Sequence, residues 1–422
     1  VTSAPRYGTV QALRAVAALL VVGAHLGGPT GFEDKLFGSP VLLGWTEHVG
    51  PMGVDLFFVV SGFIMAVTTR NVASGLQPAS AFLLRRVTRI YPCYVLVTAA
   101  VLAVFLWRPD LVNSSEDVRP DVLASFLLLP QAGLPLLLVG WTLVYEMLFY
   151  VVLGATLLVR RSWLWWALGT WVALIVVLAP LEQASSNLWV GLLLGPRNLE
   201  FVLGVGLAAL VLAGRITAPR LLCPLAVALL VVAAALGPVD GPVEGWLRLA
   251  AVGLPTTLLV YGVVGGELRH GWRAPRSLVA AGDASYSLYL VHVPVLKVVG
   301  IALGLVVAEV VLPVRLLLLV LVAAVAVAGG MLFYRWVEAP LITLVHDRAP
   351  RPRRAPAPVV PAPRTGAHRP ERVALRSSGV RAGRQDAAGA PAQAEQARRG
   401  QVGGGVDVPA QARPLTDQRN RA

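Results

Sequence analysis

The sequence predicts an all-α, polytopic membrane protein with about ten transmembrane helices plus one re-entrant or interfacial segment. Three observations predict it. The 422 residues are 56% hydrophobic and 14% charged, with a mean hydropathy of +0.69, whereas soluble domains carry about 25% charged residues. Apolar stretches near 20 residues recur along the chain, the length that a helix needs to cross a bilayer. The arginines between them fall on alternating sides of the spans.

The spans run roughly over residues 8–27, 52–69, 91–107, 141–159, 163–180, 198–213, 219–236, 246–264, 286–306 and 312–333. The first can itself insert and lacks a convincing small-residue cleavage site, so no cleaved signal is expected. Val122 to Val139 is apolar too, but carries Pro130 and Pro135. It reads as re-entrant or interfacial, with an eleventh crossing as the alternative. With the N-terminus inside, the internal connections hold Arg70, Arg85, Arg86 and Arg89, then Arg160 and Arg161, then Arg215 and Arg220, then Arg269, Arg273 and Arg276. The external ones hold Lys35, Arg108, Arg119, Arg197 and Arg248 among acids such as Glu33, Asp34, Asp110, Glu116 and Asp117. An eleventh crossing would invert this pattern over the second half. Both termini are therefore expected in the cytoplasm.

Residues 1–345 form the expected membrane domain. Residues 346–422 read as a disordered cytoplasmic tail rich in Pro, Ala and Arg. From Arg351 onward it holds 14 arginines against five acids. That charge suits anionic lipid headgroups, and no nucleic-acid partner is expected. Cys93 and Cys223 lie in or beside apolar segments and make neither a disulfide framework nor a zinc pattern. No inverted internal repeat of the transporter kind is visible, and nothing signals an oligomeric state.

Ionisable groups at membrane depth are costly and usually face a cavity or a partner. The first span has two, Arg14 and His25. Eleven residues at about 100° each come within about 20° of three full turns, so the two share a face about 16 Å apart along the axis. Asp55 lies near the outer end of the second span and Glu146 near that of the fourth, with Tyr150 one turn further on. His25, Asp55 and Glu146 are thus expected at one outer level. Arg85, Arg86 and Arg89 form a basic patch just inside the membrane, before Pro92. Ser285, Tyr289 and His292 make a polar stripe near the inner end of the ninth span, Lys297 lies deeper, and Arg335 and Glu338 sit at the inner rim. Each has a plainer reading. Arg14 could snorkel, His25 could be a packed histidine, Asp55 a helix-start acid, the arginine patch a topology determinant, and Arg335–Glu338 a local salt bridge. Two polar levels, one acid–histidine and one basic, would suit a long ligand with an anionic head. A coenzyme A thioester has that shape. A path for exporting an anionic metabolite, and hence a transporter, is the alternative.

Six stretches carry a more specific signal: "LRAVAALLVVGAH", "GVDLFFVVSGF", "LLRRVTRIYPCY", "WTLVYEMLFY", "SYSLYLVH" and "FYRWVEAP". Together, over about residues 10–342, they resemble the acyltransferase-3 family of integral membrane O-acyltransferases, found mainly in bacteria. The resemblance implies a ten-helix domain in the plasma membrane that moves acyl groups, commonly acetyl, to hydroxyls of envelope glycans, glycolipids or secondary-metabolite sugars. It implies no permanently bound cofactor, with acyl-CoA as donor substrate. Arg14 and His25 fall on the family's basic-residue-to-histidine motif, where the histidine is held essential. Asp55 and Glu146 match its acidic positions, and Arg85, Arg86 and Arg89 its basic motif. Ser287 and His292 match the ninth-span motif, and Arg335 and Glu338 the last. Many relatives have two adjacent acids in the fourth-span motif, whereas here Met147 follows Glu146. The esterase-like domain that some relatives carry has no counterpart in the tail.

The expected mechanism has His25 as general base on the acceptor hydroxyl, with Asp55 or Glu146 orienting the imidazole. Tyr150 or a backbone N–H would steady the oxyanion. Arg14, Arg85, Arg86, Arg89, Ser287 and His292 are the candidates for holding the donor. Transfer through an acylated His25 is equally open.

Overall fold

Backbone N–H and C=O groups in hydrocarbon must be satisfied within the chain, and helices do this segment by segment. In the computed structural model the regular structure is helical. The structure describes residues 7–28, 31–113, 118–159, 163–237, 244–306 and 310–346. The tail from residue 347 onward lies outside these residues, as do Arg160, Arg161, Glu116 and Asp117.

Ten apolar helices match the expected spans: α1 (Gly8–Gly27), α2 (Met52–Thr69), α3 (Leu76–Trp107), α4 (Gly140–Leu158), α5 (Leu164–Val177), α6 (Asn198–Leu212), α7 (Pro219–Leu236), α8 (Leu254–His270), α9 (Ser285–Gly304) and α10 (Leu312–Phe333). Among the described residues nine helical stretches are long and apolar enough to cross a membrane, and α5 is a shorter apolar helix. α5 continues through Ala179–Ala184, and Trp163, Trp165 and Trp166 lie exposed at its start, as interfacial aromatics do.

Contacts show the alternation directly. At the end of the bundle where α1 begins, the near end, Thr9 pairs with Glu267, Thr68 with Arg86 and Thr217 with Tyr261. At the opposite, far end, Thr46 donates to the Gly23 carbonyl, Arg315 meets Glu33 and Lys297 reaches Leu111. Each helix therefore runs opposite to the one before it. The tightest join is between α2 and α6. A Cβ on Gly62 would lie 2.1 Å from the Phe201 carbonyl oxygen, and one on Gly204 would lie 2.1 Å from that of Val59. Only paired glycines let two backbones approach so closely. Phe201 then stacks between Phe58 and Phe149, at 4.4 and 4.7 Å between ring centroids, tying α2, α4 and α6 together.

Two departures from the expected boundaries matter for the site. α3 does not begin at Pro92. It starts at Leu76 and is 32 residues long, about 48 Å at 1.5 Å per residue. Pro92 lacks the N–H that would reach back one turn, yet the helix runs through it, and the Tyr286 hydroxyl donates to the nearby Ile90 carbonyl at 2.7 Å. The arginine patch is thus a helix face rather than a loop. Residues 122–139 do not cross. They form a six-residue helix, Val122–Leu127, and then irregular backbone that turns at Leu128 with φ of 52°. Side chains satisfy this backbone: Asn113 donates to the Pro135 carbonyl and the Ser125 hydroxyl accepts from Leu136 N–H. Leu136, Leu137 and Val139 are buried. α4 therefore starts inside the bundle, and its first residues lie deeper than a count from a membrane surface assumes.

Helix geometry widens to a π turn at Leu249–Gly253 and at Tyr334–Glu338. Such turns often mark functional segments. Each here adjoins or contains a charged residue, Arg248 or Glu338, that reaches across to another helix.

Candidate active site

The first polar centre lies in the near half. A cavity of about 110 Å³ is lined by Arg14 of α1, Arg86 and Arg89 of α3, Glu146 and Tyr150 of α4, and Tyr289 of α9. Three guanidinium groups from two helices converge there. The Arg86 guanidinium lies over the rings of Phe82 and Tyr150, at 5.6 and 5.9 Å, and its Nη2 donates to Thr68. Its Nε has no hydrogen-bond partner. Arg14 donates to Gln11 at 3.3 Å. Of the three, among the described residues, only Arg89 has a carboxylate within ion-pair range, Glu338 at 3.8 Å. Arg14 and Arg86 thus carry charge that no protein carboxylate neutralises directly. Guanidinium forks in this state suit phosphate oxygens.

Glu146 belongs to this cavity, not to an outer cluster. It accepts from Ser61 at 3.0 Å and from the Tyr150 hydroxyl. The buried start of α4 accounts for its depth. Arg85 is one residue from Arg86 but does not line the cavity. Nor do Ser287 and His292. Ser287 is fully buried and donates to Glu338 at 2.5 Å, so it anchors the carboxylate that faces Arg89. Glu338 does not pair locally with Arg335, whose guanidinium lies over Trp336.

The second centre joins α1 to α9. His292 is fully buried, and its Nδ1 lies 3.0 Å from the Leu288 carbonyl oxygen. A carbonyl only accepts, so that nitrogen carries the proton and Nε2 is a bare acceptor. His292 Nε2 lies 3.4 Å from Nδ1 of His25, which is also 2.8 Å from the Val21 carbonyl oxygen. Both neighbours of His25 Nδ1 are acceptors, so it is protonated. The Nε2 lone pair of His25 is then left for the cavity that His25 lines. This second cavity, in the far half, holds about 1910 Å³ including its open mouth. The imidazole is therefore oriented by a backbone carbonyl and a second histidine, not by Asp55 or Glu146. His292, read from the sequence as part of an inner stripe, meets His25 instead.

Asp55 makes a third centre. Its two oxygens accept from Arg248 Nε and Nη2 at 3.0 and 2.5 Å, and only 3% of its side chain is exposed. Glu200 of α6 lines the same cavity and is 1% exposed. Arg248 reads from sequence as a loop charge. It sits in the short helix Glu244–Arg248, and the π turn after it adjoins α8. His25, Asp55 and Glu146 thus face three different cavities, and the single outer cluster expected from their spacing does not form. Phe57 and Tyr289 line the first cavity, 5.7 Å apart edge to face, with Tyr289 held by Thr142 and the Val139 carbonyl and its ring 6.0 Å from that of His292. Only a few residues thus separate the basic cavity from the histidine pair. Among the described residues no cluster of His, Cys, Asp and Glu is arranged to hold a metal.

The basic cavity and the oriented imidazole thus lie in one bundle of apolar helices. A family model described as an acyltransferase domain matches residues 8–335. The chain therefore belongs to the acyltransferase-3 family, and it is a multi-pass membrane acyltransferase. The chain is similar to the exopolysaccharide production protein ExoZ of Rhizobium meliloti, 34% identical over 288 residues, which cover 64% of this chain and 85% of that protein. Acyltransferase MdmB of Streptomyces mycarofaciens is 30% identical over 380 residues, 82% of this chain and 94% of its own. Peptidoglycan O-acetyltransferase OatA of Listeria monocytogenes is 28% identical over 173 residues, 37% of this chain and 25% of its own. No solved structure matches the chain.

Proposed function

We propose that the protein transfers an acyl group, acetyl in the first instance, from acyl-CoA to a hydroxyl of a glycosidic acceptor. The acceptor would be part of an envelope glycan, a glycolipid or a secreted metabolite. The observation that carries the reading is the pairing of two neighbouring cavities. One holds Arg14 and Arg86, which among the described residues have no carboxylate within ion-pair range, and His25 lines the next with its Nε2 lone pair uncommitted. The relatives' names, exopolysaccharide production and peptidoglycan O-acetylation, support a glycan acceptor.

In this reading Arg14, Arg86 and Arg89 hold the phosphates of the donor in the near half. The thioester end passes Phe57 and Tyr289 toward His25. Nε2 of His25 takes the proton of the acceptor hydroxyl as its oxygen attacks the thioester carbonyl. The carbon–sulfur bond then breaks, and the departing thiolate takes the proton back from the imidazolium. The positive charge that forms transiently on His25 is met through Nδ1–H by the Val21 carbonyl and His292. Asp55 holds helices together through Arg248 and is not part of this chemistry. In this reading the near end, where α1 begins and α10 ends, is the cytoplasmic side of a bacterial plasma membrane, where acyl-CoA is made.

Mass spectrometry of envelope glycans and secreted metabolites from cells with and without the gene tests the reading. An acyl mass increment on a sugar that vanishes without the gene is expected. Identical acylation patterns would overturn it.

A further inference from the structure

The chain contains 36 basic residues, and only two of them are lysines, Lys35 and Lys297. They are 262 positions apart in the sequence, yet both line the far cavity into which His25 opens. Lys297 is on α9, five residues beyond His292, a rise of about 7.5 Å. It is partly buried within an apolar helix, and its ammonium donates to the Leu111 carbonyl at 2.8 Å. Lys35 is on the short helix Phe32–Phe37 and is exposed.

Of the other charges near this end, Glu33 and Asp110 are answered by the protein. Glu33 is buried and accepts from Leu42 N–H, Leu43 N–H and Arg315. Asp110 also lines the cavity, but the Arg108 fork binds it at 3.0 and 2.7 Å and holds its carboxyl below the usual range. Glu47 is the other acid of the lining and makes no ion pair among the described residues. Among the described residues neither lysine has a carboxylate within 4 Å. Two ammonium groups in the lining of one cavity repel each other. An ammonium part-way down a membrane helix is costly unless something answers it.

We propose that Lys35 and Lys297 form an anion subsite for the acceptor, and that the acceptor is a sugar bearing a carboxylate close to the hydroxyl that is acylated. This rests on the reading of His25 as the base that faces the acceptor. The donor's phosphates do not need these lysines, because the near cavity already supplies three guanidinium groups. An ammonium is a point charge with rotatable donors, suited to a carboxylate whose orientation varies with the glycan. Without its open mouth the cavity holds about 740 Å³, within the range of about 300–1,000 Å³ that serves a drug-sized ligand.

The test uses the full chain in phosphatidylcholine nanodiscs. Methyl β-D-glucuronide, methyl β-D-glucoside and acetyl-CoA are titrated separately, with ligand-induced change in melting temperature and binding heat as readouts. The wild-type protein should bind the glucuronide at least about tenfold more tightly than the glucoside, the factor that corresponds to about 1.4 kcal/mol. Lys297→Gln should remove that preference, Lys297→Arg should restore most of it, and the exposed Lys35→Gln should weaken it severalfold. Acetyl-CoA binding should be unchanged in all three. Equal binding of the two glycosides by wild-type protein overturns the subsite. So does a loss of acetyl-CoA binding in the lysine variants, which would give the lysines to the donor. Phosphatidylglycerol nanodiscs that abolish the glucuronide response would instead make this a lipid headgroup site, and also overturn it. Failure of wild-type protein to bind acetyl-CoA, with the glucuronide preference intact, would defeat the donor assignment and leave the subsite standing.

Discussion

Replacing Asp55 separates a positional role from a chemical one. Asp55 and Arg248 share two hydrogen bonds at 3.0 and 2.5 Å, with side-chain exposures of 3% and 21%. Asp55→Asn leaves the Arg248 charge in this site without its carboxylate, next to the buried Glu200. Breaking a buried pair from one side costs about 3–5 kcal/mol, which for a domain of this size lowers the melting temperature by about 4–7 °C. Asp55→Leu combined with Arg248→Met removes both charges, and such apolar replacements are commonly neutral or better. The assay is melting of the purified protein followed by tryptophan fluorescence, alongside acyl transfer from acetyl-CoA at a temperature where each variant is folded. The single variant should melt early and keep its activity when cold, and the double variant should recover the melting temperature and stay active. A double variant that melts like the wild type but transfers no acyl group would refute the reasoning and return Asp55 or Arg248 to the chemistry.

Other outcomes follow from the same geometry. Arg86→Gln should raise KM for acetyl-CoA by about tenfold to a hundredfold, the loss of a hydrogen bond to a charged group. Arg85→Gln should stay within about twofold of wild type, because Arg85 does not line the cavity; steady-state kinetics on the pair checks both. Gly62→Ala puts a Cβ 2.1 Å from the Phe201 carbonyl oxygen, so α2 and α6 must separate, at a cost of at least about 1–3 kcal/mol. Its yield as a monodisperse peak should fall sharply, whereas Gly169→Ala, where nothing lies near the added carbon, should not change it.

The span positions were legible because bilayer thickness imposes a length and a composition that local sequence must obey. The alternation was legible from the arginines for the same reason, and the shared face of Arg14 and His25 follows from helix period alone. What escaped was depth and partnership. Glu146 seemed to sit near the surface because α4 starts buried, beneath an irregular segment that side chains of Ser125 and Asn113 satisfy. Asp55 finds its partner 193 residues away, and no periodicity reports such a pairing. Arg248 could be read as a loop charge because the apolar window after it hides the π turn. His292 was singled out by its own helix face, but its meeting with His25 depends on how α1 and α9 pack. One missed residue did leave a signal. Glu200 lies in the apolar run "NLEFVLGVGL", and an acid in such a run calls for a partner.

The account stands on the free nitrogen of His25. The decisive measurement is the single-turnover rate of acyl transfer by purified His25→Ala, with matched abundance and melting temperature, and with acetyl-CoA binding measured on the same sample. The expected result is a rate lower by about 10²–10⁴-fold with donor binding intact. A folded His25→Ala protein that transfers acyl groups at the wild-type rate would contradict it.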